Sequence, residues 1–196
     1  MARIFNGMPD VPLVTIQRLV RELEDNQIPY AIIGGVAVSI RAVPRYTEDV
    51  DAVVWVDDSR RSEFLAQITK RGLRPRASDP LGFARKNRLL LLTDEDGVHV
   101  DLSFGVLPFE EEMIRNAEPI EIAEGCTASI ATARALVLMK AVAWRSKDLH
   151  DIVEIVSVNP DEDWGSVVDE FVEFAELLDA AERVEELRRL VNKLSL

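Results

Sequence analysis

The 196 residues carry 47% hydrophobic and 30% charged side chains, a balance that suits one soluble domain with an attached helical region and is long enough to bury a sizeable core. A formal net charge of −12 argues against broad, nonspecific adhesion to nucleic acid or to an anionic membrane, though it leaves room for a local basic face. No apolar run approaches the roughly 20 residues of a membrane helix; the opening residues lack the apolar stretch of a secretory leader, and the single cysteine, Cys126, cannot close an internal disulfide, so a cytoplasmic protein is expected.

From Pro12 to Asn26 the apolar residues Leu13, Ile16, Leu19, Val20 and Leu23 fall three and four apart, one buried stripe of a helix with Asp10 placed as its cap. Pro29 interrupts. Tyr30-Ala31-Ile32-Ile33 then reads as a short strand that stops at Gly34-Gly35, before a helical turn or two over Val36 to Ala42. The β-branched and aromatic run from Asp49 to Val56 predicts a second strand, and its period of two puts Asp49 and Asp51 on one face. Asp57, Asp58 and Ser59 offer caps for a helix to about Arg71, closed by Gly72. Arg88 to Thr93 and Val98 to Phe104 flank the turn composition Asp94-Glu95-Asp96-Gly97. They predict a hairpin whose second arm turns His99, Asp101 and Ser103 one way and Val98, Val100, Leu102 and Phe104 the other.

Ile120 and Ile122 suggest a further strand, and Thr132 caps a predicted helix through Leu136, Met139, Lys140 and Trp144, followed by another from Lys147 to Val156. From Trp164 to Leu196 the apolar positions 167, 171, 174, 178, 181, 184, 187, 191 and 194 form one long stripe opposite an acidic face. The expected fold class is α+β. A small mixed sheet with flanking helices occupies residues 1–125, and a helical region packed on it occupies 126–196.

Charge is unevenly spread. From Asp148 onward there are 14 acids against 4 bases, whereas Arg60 to Arg88 holds nine bases (Arg60, Arg61, Lys70, Arg71, Arg74, Arg76, Arg85, Lys86, Arg88) against Glu63 and Asp79. That basic segment is either a solvated surface or a track for a polyanionic substrate.

The segment from Gly34 to Asp51 is the most informative. A glycine pair that ends a strand and opens a helix lets backbone N–H groups approach an anion, although tight turn packing explains most such pairs. Two carboxylates at i and i+2 on an otherwise apolar strand are costly unless something compensates them. Asp49 and Asp51 point either to a hard cation such as Mg²⁺, with Asp101 as a third ligand, or to pairing with Arg41 and Arg45. His99 shares the Asp101 face, but two histidines without local partners do not make a zinc site. Cys126, Trp55 and Trp144 read as core residues.

Gly34-Gly35, then Arg45-x-Thr47-x-Asp49-x-Asp51, then Asp101 on a later strand resembles the nucleotidyltransferase superfamily related in fold to DNA polymerase β. Leu138-Met139-Lys140 followed by Arg145-Ser146-Lys147-Asp148-Leu149-His150-Asp151-Ile152 is similar to its AbiEii-type branch, whose toxins are paired with antitoxins. The resemblance spans about Tyr30 to Ile152. It implies that Asp49, Asp51 and Asp101 bind divalent metal, Mg²⁺ or Mn²⁺, and that Asp101 helps deprotonate the attacking hydroxyl. It also implies an NTP site with Gly34, Gly35, Arg45 and Thr47, to which Lys140, Lys147 and Asp148 on the later helices are candidates to add. The superfamily commonly has Gly-Ser where this chain has Gly34-Gly35, so Ser39, one turn later, is the candidate for the missing hydroxyl. The implied function is nucleotide transfer from an NTP to a hydroxyl, on RNA or tRNA for a toxin, with an antitoxin as partner; if RNA is the acceptor, the charge distribution makes Arg60 to Arg88 its expected track. Two alternatives stand beside it: a noncatalytic member that binds a protein partner, and an enzyme that modifies a small molecule of the antibiotic type.

Overall fold

Tyr30-Ala31-Ile32-Ile33 has little that tolerates solvent, and in the computed structural model, which describes residues 12–194, it forms β1 (Tyr30–Ile33) near the centre of a sheet. Asp10, the expected cap of the first helix, lies outside the described residues. The other strands are β2 (Asp49–Val54), β3 (Arg74–Pro75), β4 (Leu89–Thr93), β5 (His99–Phe104), β6 (Glu118–Ala123) and β7 (Cys126–Ile130). Among the described residues they form one seven-stranded sheet in the order β3-β4-β5-β2-β1-β7-β6. It is mixed: β2 runs parallel to β5 and β1 parallel to β7, while the other neighbours are antiparallel. The α+β reading is therefore correct.

The sheet is the core of one of two compact units, made of the chain up to Ala37 and of Arg45–Ala131. Its helices are α1 (Leu13–Asp25), the start of α2 (Gly34–Arg41), α3 (Arg61–Ile68), α4 (Pro80–Asn87) and α5 (Pro108–Arg115). The predicted stripe of α1 is buried at Ile16, Leu19, Val20 and Leu23, as are Val50, Ala52 and Val54 of β2 with Val100, Leu102 and Phe104 of β5. Phe104 also carries the Phe64 ring at its edge, 6.3 Å between centroids, and the Arg61 guanidinium 4.3 Å above it. Burial of a side chain of this size stabilises by about 1.5–3 kcal/mol.

The second unit comprises Val38–Pro44 and Thr132–Leu196. It contains α6 (Ala133–Ala143), α7 (Ser146–Val158), α8 (Trp164–Leu177) and α9 (Ala181–Leu194). Thr132 caps α6 as predicted, its hydroxyl accepting from the Ala135 N–H at 3.2 Å. Trp144 stacks on Phe171, 6.2 Å between centroids, an internal contact rather than an open stacking platform.

Three expectations change. The stripe from Trp164 onward is two helices, because Asp179 takes a left-handed φ of 52° and turns the chain between α8 and α9. Cys126–Ile130, assigned above to the helical region, is a sheet strand with Cys126, Ala128 and Ile130 buried in alternation. Finally, β3, α4 and α5 were not predicted: β3 has only two residues, and α4 and α5 are each eight residues long, begun by Pro80 and Pro108 at their first helical positions.

Candidate active site

The parallel register of β2 and β5 places Asp51 opposite Asp101 and Asp49 opposite His99. Neighbouring strands lie about 4.8 Å apart and alternate side chains share a face, so Asp49, Asp51 and Asp101 stand on one patch of the sheet. The opposite face of both strands is apolar and buried, which leaves the carboxylates no alternative direction.

Gly34 and Gly35 close the patch from above. Gly34 follows Ile33, which pairs with Asp51 across β1 and β2, and it has a left-handed φ of 63°. A β-carbon on Gly34 would collide with the Asp51 carboxylate; one on Gly35 would collide with the Thr47 hydroxyl and lie 2.9 Å from its Cβ. The glycine pair is thus required by the carboxylate and by Thr47. The same absence of side chains exposes the first N–H groups of α2, which have no partner inside the helix and favour an anion.

Each outer carboxylate has a basic neighbour. His99 Nδ1 lies 3.6 Å from Asp49 Oδ1, and the Arg76 guanidinium is hydrogen-bonded through Nη2 to Asp101 Oδ1. Arg76 is held in turn by two backbone carbonyls: its N–H donates to Leu91 O and its Nε–H to Leu92 O, both at 2.9 Å. Nothing in the sequence signals the Arg76 contact, because Arg76 follows β3 and reaches Asp101 across β4.

Oxygen donors in this number suit a hard divalent cation, and the chemistry of the set fits one. As the side chains stand, however, no three acidic, histidine or cysteine side chains among the described residues are gathered closely enough to hold an ion. Arg76 takes an oxygen that a third ligand would offer.

Arg45 and Thr47 lie on the segment leading into β2, with the Thr47 hydroxyl 3.3 Å from the Asp49 carbonyl. Ser39 belongs to the helical unit and is only 2% exposed, so its hydroxyl is enclosed. Lys140 is also enclosed, 8% exposed. Its Nζ lies 2.5 Å from Asp151 Oδ2 and 3.5 Å from Asp148 Oδ1, and both carboxylates are 1% exposed. Asp148 also accepts from the Arg145 backbone N–H at 3.1 Å and from its Nε at 2.7 Å. Burial pushes the Asp148 carboxyl up, yet the Arg145 hydrogen bonds and the Lys140 ammonium together hold it below the usual carboxylate range. Lys147 is exposed in the first turn of α7.

The basic segment is similarly sorted. Arg61 pairs with Asp58, Arg71 with Glu22 and Asp25, Arg76 with Asp101 and Arg88 with Glu110. Arg60, Lys70, Arg74, Arg85 and Lys86 are exposed.

A family model described as nucleotidyl transferase AbiEii toxin, type IV TA system, matches residues 16–193. No curated protein matches the sequence. Among solved structures, an antigenic nucleotidyltransferase-like protein from Paracoccidioides brasiliensis superposes with a TM-score of 0.54 at 18% identity, covering 88% of this chain and 91% of that one. The lincosamide antibiotic adenylyltransferase LnuA, lincomycin-bound, gives 0.55 at 12% identity over 76% of this chain and 99% of its own. ANT(2″)-Ia in complex with adenylyl-2″-tobramycin gives 0.50 at 20% identity over 92% and 97%. These likenesses establish a shared fold.

Proposed function

The chain belongs to the AbiEii nucleotidyltransferase toxin family, and on that premise we propose that it transfers a nucleotide from an NTP to a hydroxyl on RNA, tRNA above all, as the cytoplasmic toxin of a toxin–antitoxin pair. The observation that carries this reading is the register of Asp51 against Asp101, with Asp49 on the same face and Gly34 against Asp51. Asp49 and Asp51 would hold Mg²⁺ or Mn²⁺, and Asp101 would complete the set and receive the proton of the attacking hydroxyl. Such ions, when bound, neutralise charge on the attacking and leaving oxygens. The first-turn N–H groups of α2 donate to the triphosphate, and Arg45 and Thr47 flank that end. No helix among the described residues is long and apolar enough to cross a membrane.

RNA as acceptor is supported by the exposed bases at the β3–β4 edge, Arg74 on β3 with Arg85 and Lys86 on α4. Incubation with each labelled NTP, a divalent ion and total cellular RNA, followed by sequencing of the labelled product, tests the proposal. Labelled RNA is expected from the wild type and none from Asp51→Asn. Reversal of Arg74, Arg85 and Lys86 to Glu is expected to cut RNA labelling steeply at moderate salt and to leave NTP binding intact. Unchanged RNA labelling by that variant removes the track; labelling of a small molecule or protein in place of RNA moves the acceptor; absence of any transfer leaves a noncatalytic partner-binding role.

A further inference from the structure

The carboxylate patch carries its own cation. Three carboxylates on adjacent strand positions repel one another, and the repulsion is relieved either by a bound divalent ion or by a positive side chain. Arg76 supplies the second solution. Its Nη2 donates to Asp101 Oδ1, and the pair is only partly open, 26% and 30% exposed at the side chains. The arginine is anchored by its backbone N–H on Leu91 O and its Nε–H on Leu92 O, so the guanidinium is delivered to this oxygen by strand geometry. His99 Nδ1 lies 3.6 Å from Asp49 Oδ1, a neighbour without the hydrogen bond that Arg76 makes to Asp101. With both outer carboxylates turned to protein partners, the three aspartates do not converge.

We infer that Arg76 is a built-in competitor of the divalent cation: its guanidinium occupies Asp101 in the metal-free enzyme and must release that oxygen before the metal set can close. The inference rests on the proposed assignment of Asp49, Asp51 and Asp101 as metal ligands. Arg76 acts through Asp101, so it is a positioning residue that sets the cation concentration at which the site assembles. The guanidinium offsets one of the three carboxylate charges and a divalent ion offsets two, so the ion relieves the repulsion further once Asp101 is released. The backbone N–H stays on Leu91 O, whereas the planar guanidinium moves as one unit, so releasing Asp101 also shifts the Nε–H donated to Leu92 O.

The test is a titration of the full chain with Mn²⁺ alone, followed by electron paramagnetic resonance of the free ion, on the wild type, Arg76→Gln, Arg76→Lys and Asp51→Asn. Loss of a partly exposed competitor predicts Mn²⁺ binding about two- to fivefold tighter in Arg76→Gln. Arg76→Lys, which keeps the charge but loses the anchored fork, is expected to fall between them. Asp51→Asn is expected to lose the site. Thermal unfolding of each variant confirms that the fold is kept. Equal or weaker Mn²⁺ binding by folded Arg76→Gln, with wild-type binding that Asp51→Asn abolishes, overturns the competitor role and leaves the metal site standing. Wild-type protein that binds no Mn²⁺, or binds it equally well as Asp51→Asn, overturns the metal-site reading and this inference with it.

Discussion

Two groups of aspartates with basic partners stand in this chain, and they are built in opposite ways. On β2 and β5 the Asp49 side chain is 57% exposed and Asp101 30%, with His99 and Arg76 as partly exposed partners. Between α6 and α7, Asp148 and Asp151 are each 1% exposed and enclose Lys140. A buried charge needs its partner at all times, since its removal leaves an uncompensated charge in a poor solvent. A half-exposed charge exchanges its partner at little cost. The strand group is therefore suited to trade a side-chain cation for a bound one, whereas the helix group fixes two consecutive helices to each other.

The largest effect expected from this contrast is at Asp51. Asp51→Asn keeps the volume of the side chain but removes a charged oxygen donor, so nucleotide transfer should fall on the order of a thousandfold. Denaturant unfolding should barely change, because the position is half open. Lys140 should behave in reverse. Lys140→Met strands Asp151 in the core and should cost about 3–5 kcal/mol in urea unfolding, part of which returns when Asp151→Asn is added. A Lys140→Met protein with wild-type stability and weakened NTP binding would break the comparison and return Lys140 to the nucleotide site.

The sequence made the strand group legible because a period of two is a local property. Asp49, Asp51 and Asp101 could each be placed on a strand face from their apolar neighbours, and the glycine pair marked a strand-to-helix turn. The Arg76 contact was not legible, since it depends on β3 lying next to β4 and β4 next to β5, an order that pattern alone does not give. The pairing of Lys140 with Asp151 was not legible for a related reason. Lys140 and Asp151 are eleven residues apart on different helices, and their pairing depends on the turn at Trp144, whose φ of 53° no helical period announces. Likewise, a continuous apolar stripe over Trp164–Leu194 concealed the break at Asp179, because both helices keep their apolar residues in phase across it.

A smaller effect sharpens the account of the glycine turn. Gly35→Ala forces a β-carbon against Thr47, an overpacking that should cost about 1–3 kcal/mol and displace the segment leading to Asp49. Thr47→Gly alone removes the obstacle, so the double variant should recover stability and Mn²⁺ binding relative to Gly35→Ala. Gly34→Ala should not be rescued in this way, because its left-handed φ adds a backbone penalty that no neighbour relieves. Additive losses in the Gly35 and Thr47 pair would show that the two positions do not meet.

The smallest effect separates buried carboxylates by the sign of their pH dependence. Burial alone raises a carboxyl, and Glu22, 2% exposed, is raised mainly for this reason, with Arg71 opposing and Asp25 reinforcing it. Asp148 is equally buried but is held low by Arg145 and Lys140. A lowered carboxyl contributes stability that is present above its unfolded value, about 3.9, and that is lost as pH falls through the folded value. A raised one contributes in the opposite sense: its favourable protonation is fully present below the unfolded value, about 4.3, and is lost as pH rises through the folded value. The stability difference between wild type and Asp148→Asn, followed by urea unfolding from about pH 7 to pH 3.5, should therefore shrink on acidification. The difference between wild type and Glu22→Gln should shift toward the wild type over the same range. If both differences moved in the same direction, the Lys140 and Arg145 contacts would not be stabilising the charged form of Asp148, and the helix group would no longer be distinguished by permanent pairing.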